Sequence, residues 1–256
     1  MSDRLVLQAL ILKAMTQERT PREPIELKPQ RYPLFDSLRG FAMILMAIYH
    51  FSFDLNQFGV ISFEMNHDWR WTSFRAVIMS LFMSLIGVGL YLGRASYGSS
   101  SYCKRILTIA ACALIISLVT SFQFPKSWIF FGVLHFATLV MILGPLLIRA
   151  PWLNLMAGAS IIVVQFLVSD ISYSALGWNL LGLSPIRPYT EDFAPIVPWL
   201  GVSMIGLFIG YAVKTFIPRL GLAEWKPLTR LGHHSLLFYM LHQVVLYPLA
   251  YLISRL

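Results

Sequence analysis

Seven stretches of about 20 mostly apolar residues, parted by short polar breaks, run through this chain and constrain its fold more than any other feature. A hydrocarbon core about 30 Å thick takes about 20 residues of helix per crossing, and a helix is one of the few structures that satisfies its own backbone in lipid. The stretches cover residues 36 to 56, 73 to 93, 105 to 123, 128 to 148, 152 to 169, 194 to 216 and 235 to 253. They predict an all-α, polytopic transmembrane helical bundle of about seven spans. Composition agrees: the 256 residues are 57% hydrophobic and 12% charged, against roughly 45–50% and about 25% in soluble domains, so the apolar excess needs lipid around it. No internal repeat, low-complexity tract or linker divides the chain. The expected organisation is a tail over residues 1–31 and one membrane domain over 32–256.

The distribution of Lys and Arg gives an orientation. With the N-terminus inside, the tail and first turn hold Arg4, Lys13, Arg19, Arg22, Lys28, Arg31 and Arg39, and the even-numbered connections with their flanking helix ends hold Arg94, Lys104, Arg105, Arg149, Lys214, Arg219, Lys226 and Arg230. Only Arg70, Arg75, Lys126, Arg187 and Arg255 fall outside, which is the positive-inside bias. The expectation is a multi-pass protein with a cytoplasmic N-terminus and the C-terminus on the opposite face. The net charge of +8 then reflects topology and does not imply nucleic-acid binding.

The first 31 residues are too charged for a secretory signal, although Leu5 to Met15 is compatible with a short surface helix. Cys103 and Cys112 stand about 13 Å apart along a helix, too far for a disulfide. The longest break, Asp170 to Phe193, carries Trp178, Pro185, Arg187, Pro188, Tyr189, Glu191 and Asp192, and loops of that length often contribute to a site.

The first span concentrates the ionisable residues. Asp36, Arg39, His50 and Asp54 lie in or at the ends of an otherwise apolar helix, where such groups are costly and normally face the bundle interior or a watery cavity. Arg39 to His50 is close to three whole helical turns, while Asp36 to Arg39 and His50 to Asp54 are i,i+3 and i,i+4 neighbours, so one stripe holds all four. The plainer reading keeps Asp36, Arg39 and Asp54 as snorkelling interfacial charges and His50 as a packed hydrogen-bonding group.

Four segments carry a family likeness: RYPLFDSLRGFAMILMAIYHFSFDL (Arg31 to Leu55), FFGVLHF (Phe130 to Phe136), EDFAPIVPWLG (Glu191 to Gly201) and LGHHSLLFYMLHQ (Leu231 to Gln243). The first resembles the opening of the transmembrane acyltransferase superfamily. Arg39, ten residues and then His50 is similar to the Arg-ten-His motif of its acyltransferase family 3 branch. Together the segments look closest to small bacterial relatives of heparan-alpha-glucosaminide N-acetyltransferase. The resemblance implies that Arg39 and His50 belong to an active site, that Asp36 supports Arg39, and that His67 in EMNHDWRW takes part in acetyl transfer. It raises His135, His234 and His242 to site candidates, each of which reads equally as a core hydrogen-bonding or capping group. By analogy with the bacterial relatives, the membrane is the bacterial inner membrane.

Acyl transfer from a thioester needs a base for the acceptor's proton and a positive group or donor for the oxyanion. His50 suits the base, with Asp54 one turn away to orient its ring. Arg39 lies about 16 Å along the helix from His50 and is better placed to bind a long donor, such as the phosphates of acetyl-coenzyme A. Pro195, Pro198 and Trp199 at the start of the sixth span are positioned to bend it and frame an outer opening, or Trp199 is an interfacial anchor; Asp192 is a candidate for binding a polar acceptor. The expected activity is transfer of acetyl from acetyl-coenzyme A to the hydroxyl or amino group of a glycan or amino sugar. No metal is expected, and homo-oligomerisation is left open. A haem protein is the first rival, weakened by the lack of a Cys-x-x-Cys-His motif. A proton-coupled transporter is the second, weakened by the lack of repeated halves.

Overall fold

The computed structural model describes residues 31–65, 67–168, 176–184 and 188–256. The chain divides into Met1–Arg31 and Tyr32–Leu256, and the helices described below belong to the second unit. The expected helix from Leu5 to Met15, the tail charges Arg4, Lys13, Arg19, Arg22 and Lys28, and Asp170, Pro185 and Arg187 of the long break lie outside the described residues.

The described chain is an all-helical bundle. Its helices are α1 (Pro33–Gln57), α2 (Trp69–Leu92), α3 (Ser100–Gln123), α4 (Val133–Leu147), α5 (Pro151–Val168), α6 (Leu176–Leu181), α7 (Ile196–Phe216), α8 (Lys226–His233) and α9 (Ser235–Ile253). Among them α1, α2, α3, α7 and α9 are long and apolar enough to cross a bilayer, and α4 and most of α5 are shorter apolar helices. This is the architecture of an integral, multi-pass membrane protein.

Helix starts follow local chemistry. Pro stands in the first turn of α1, where its missing N–H costs nothing. Asp68 caps α2 by accepting from Arg70 N at 2.8 Å, and Ser99 caps α3 by accepting from Tyr102 N at 3.2 Å. The fourth span begins later than its hydropathy predicts, at Val133 instead of residue 128. The preceding residues are extended and tied sideways: Ala194 N donates to Phe131 O at 3.1 Å, and Ser117 Oγ donates to Ile129 O at 2.6 Å. A run of apolar residues cannot distinguish such a non-helical segment from another helical turn. The long break contains α6, and Val197 is non-helical near the start of α7, so that span bends among Pro195 and Pro198 as expected.

The closest packing is between α2 and α7. A Cβ at Gly87 would collide with the Ser203 carbonyl, and one at Gly206 with the Ser84 carbonyl. Ser203 Oγ donates to Met83 O at 3.0 Å across the same contact. Small residues let the two backbones approach, which is how apolar helices associate when lipid offers no hydrophobic drive. The break at His234 frees α8 to lie against the first part of α1, where Gly232 meets the Asp36 backbone and Gly40 meets the Leu228 carbonyl. Buried Ser37 and Thr229 share a 2.7 Å hydrogen bond there. Little of α3 or α9 is buried within the bundle; Leu114, Leu118, Phe122, Val244 and Val245 are exposed and, in a bilayer, face hydrocarbon.

Gly206→Ala should destabilise the protein by about 1–3 kcal/mol, because the added methyl is forced against backbone. Gly89→Ala, whose Cβ would meet its nearest neighbour at 3.7 Å, should instead be neutral or stabilising through better helix propensity. In one detergent the thermal midpoint should fall for Gly206→Ala and stay unchanged or rise for Gly89→Ala.

Candidate active site

The helices alternate in direction, so α1 ends where α2, α4 and α7 begin. At that end they enclose a cavity of about 680 Å³. From α1 it receives His50, from the connection to α2 His67, from α2 Arg75, and from the approach to α7 Glu191, Asp192 and Trp199. Gln165 of α5, Asn179 of α6 and Tyr239 of α9 also line it. Four sequence-predicted site residues, His50, His67, Asp192 and Trp199, thus share one cavity although they come from three segments of the chain.

The stripe on α1 resolves into two clusters. At the end where α1 begins, Arg39 Nη1 donates to Asp36 Oδ1 at 2.7 Å, an i,i+3 ion pair, and the other carboxylate oxygen of Asp36 lies 3.1 Å from His233 Nε2. His233, not the candidate His234, therefore reaches the first span. His234 is exposed at the junction of α8 and α9, where it caps α9 without a side-chain capping bond, and Ser235 is already helical. Arg39 and Asp36 are outside the cavity lining.

At the other end, Asp54 is 1% exposed. Its Oδ1 accepts from Gln243 Nε2 at 3.4 Å, and the same nitrogen is 3.5 Å from His50 Nδ1. The direct Asp54 to His50 contact expected from their spacing is replaced by an amide from α9 placed between them. The His242 ring lies 5.1 Å from that of His50, centroid to centroid, with its Nδ1 at 2.7 Å from the Tyr239 carbonyl. His135 sits apart from the cavity lining: its Nδ1 accepts from Gly132 N at 3.3 Å and its Nε2 is 3.1 Å from Ser117 Oγ, so it joins the start of α4 to α3.

Asp192 faces the cavity but is also engaged by the fold. Its Oδ2 accepts from Val133 N at 2.8 Å, in the first turn of α4, and from Tyr239 Oη at 2.9 Å. A carboxylate at that position satisfies an orphan N–H and complements the helix dipole. Beside it, Glu191 Oε1 accepts from Ser127 Oγ at 2.5 Å. Gln243, Arg75, Tyr239 and His233 join these clusters without having been legible as site residues. Gln243 carries a detectable signal, a polar side chain inside an apolar span, whereas Arg75 reads as an ordinary outer charge until the fold turns it onto the cavity. Among the described residues no group of three or more His, Cys, Asp or Glu side chains converges to hold a metal.

A bundle of apolar helices around a mixed polar and apolar cavity bearing two imidazoles defines a membrane protein with the elements of an enzyme. Residues 31–244 match the family model described as heparan-alpha-glucosaminide N-acetyltransferase, catalytic, and the chain belongs to that family. It is accordingly a membrane acyltransferase by family. No curated protein matches the chain, and no solved structure does.

Removing the Asp192 carboxylate leaves two part-buried donors without that acceptor, at up to about 1–3 kcal/mol for each group left unsatisfied. Asp192→Ala should therefore lower the thermal midpoint clearly more than Tyr239→Phe, which removes one partner and leaves the cap in place. Equal midpoints would show that Asp192 does not hold the start of α4.

Proposed function

We propose that this protein transfers an acetyl group from acetyl-coenzyme A to the amino or hydroxyl group of a sugar or amino sugar, with the chemistry in the cavity where α1 ends. The observation that carries this reading is the convergence of His50 and His67, from separate segments, on one cavity in a chain of this family. Acyl transfer needs a group that takes the acceptor's proton and a donor that holds the oxyanion, and two imidazoles meet both needs. The donor's contribution is an acetyl carbonyl already activated as a thioester.

The chain's residues divide the remaining work. The cavity's polar lining, with Arg75, Gln165 and Asn179 among apolar walls, suits a hydroxylated acceptor. Arg39, about 16 Å along α1 from His50, is placed for the distant part of a long donor. Its ion pair with Asp36 holds the guanidinium in one orientation. Positive-inside charge supports a cytoplasmic start of α1, on the side where acetyl-coenzyme A is found, with the cavity toward the opposite face of a bacterial inner membrane.

The test uses the full chain in nanodiscs with acetyl-coenzyme A and glucosamine. Wild type should bind the donor and acetylate the acceptor. His50→Ala and His67→Ala should each lower turnover by about 10²-fold or more while remaining folded. Arg39→Ala should weaken donor binding, read as loss of the ligand's thermal stabilisation, with acceptor affinity kept. A folded wild type that neither binds the donor nor transfers acetyl would overturn the reading, and full activity in both His variants would move the chemistry away from this cavity.

A further inference from the structure

One amide joins the two ionisable groups at the end of α1. Gln243 Nε2 lies 3.4 Å from Asp54 Oδ1 and 3.5 Å from His50 Nδ1. Asp54 Oδ2 and Gln243 Oε1 are buried with no hydrogen-bond partner among the described residues, so this contact is what the Asp54 carboxylate has. Gln243 Nε2 is the amide atom that faces Asp54 Oδ1, as an ionised carboxylate, which only accepts, requires; the carbonyl end in that place would then set two oxygens against each other. The same NH₂ meets Nδ1 of His50, and a donor is received only by a ring nitrogen with a free lone pair. A neutral imidazole carries one proton, which is then on Nε2. His242 does not compete for that arrangement, since its own Nδ1 is held by the Tyr239 carbonyl and its Nε2 has no partner among the described residues.

We propose that Gln243, oriented by Asp54, is a positioning residue that fixes His50 as its Nε2–H tautomer, making His50 the oxyanion donor and leaving the acceptor's proton to His67. The chemical consequence rests on the acetyl-transfer reading; the tautomer does not. The acceptor nitrogen or oxygen attacks the thioester carbonyl carbon, and the C=O electron pair moves onto oxygen, where His50 Nε2–H donates to it. His67 takes the acceptor's proton. Collapse of the tetrahedral centre re-forms the carbonyl and breaks the carbon–sulfur bond, and the leaving thiolate takes that proton from the His67 imidazolium. His50 donates throughout and changes protonation at no step, which suits a ring carried on an apolar helix, where charge is costly.

The proposal is tested on ¹⁵N-histidine-labelled full chain in nanodiscs, with His50→Asn used to assign the His50 resonances. Wild type should show Nδ1 unprotonated and Nε2 protonated. Gln243→Glu, which keeps the side chain's size, should move the proton to Nδ1, and Gln243→Leu should release the ring to a mixture of tautomers. In the transfer assay both variants should lose about 10–100-fold in kcat, as when a partner that orients a working imidazole is removed, with KM for acetyl-coenzyme A unchanged. A His50 protonated at Nδ1 in wild type, or an identical tautomer in wild type and Gln243→Glu, would overturn the proposal. Should Gln243→Leu fail to fold, the Glu variant decides alone. Wild type that shows the tautomer and its loss in the Glu variant, yet transfers no acetyl group, keeps Gln243 as the positioning residue and overturns the acyl-transfer reading instead.

Discussion

The crossing of α2 over α7 is the contact on which the rest of the bundle depends. Helices in lipid gain nothing by hiding apolar side chains from one another, so association rests on close backbone approach and on hydrogen bonds between helices. Gly87 and Gly206 supply the approach from opposite sides and Ser203 supplies the bond to the Met83 carbonyl. The same α7 carries α5 on another face, where Gly158 and Gly201 are each too close to the other's carbonyl for a side chain. Both α2 and α7 begin at the cavity, bringing Arg75 from one and Trp199 from the other. Fixing their crossing therefore fixes the distance across its wall, and the site inherits its shape from a contact between small residues.

The ionisable groups of α1 depend on a second device, the break between α8 and α9 at His234. A straight helix there would present one face to one region of α1. Instead α8 brings His233 to Asp36 at the start of α1, and α9 brings Gln243 to Asp54 and His50 near its end. One interrupted segment thus supplies polar partners to both clusters, which is what buried charge in an apolar surrounding requires.

The architecture was legible because lipid leaves few alternatives. Hydropathy alone located seven apolar helices, and the last is found at the residues expected, 235 to 253. The fourth span failed by several residues because Trp128 to Gly132 is apolar yet non-helical, and hydropathy does not report backbone conformation. For the site, helical periodicity correctly put Asp36 beside Arg39, since an i,i+3 contact depends only on one helix. It failed at Asp54 and His50, which are equally well spaced, because an amide from another helix takes the place between them. The choice of His233 over His234 depended on the rotation of α8 about its axis, which two adjacent histidines in a sequence do not reveal. Interhelical partners were thus beyond reach where same-helix partners were not.

The helix ends around the cavity account for its acidic residues. Three helices begin there, α2, α4 and α7, and each start presents unpaired N–H groups and the positive end of a dipole. Asp68 answers the first and Asp192 the second. α7 has no side-chain cap, but Pro195 before it and Pro198 in its first turn have no N–H to satisfy. Carboxylates that look in the sequence like ligands for a polar substrate are in this way already engaged by the fold, and Asp192 is bonded to both Val133 and Tyr239. The cavity keeps its negative groups occupied, and its imidazoles, set on α1 and on the connection to α2, line the space that remains.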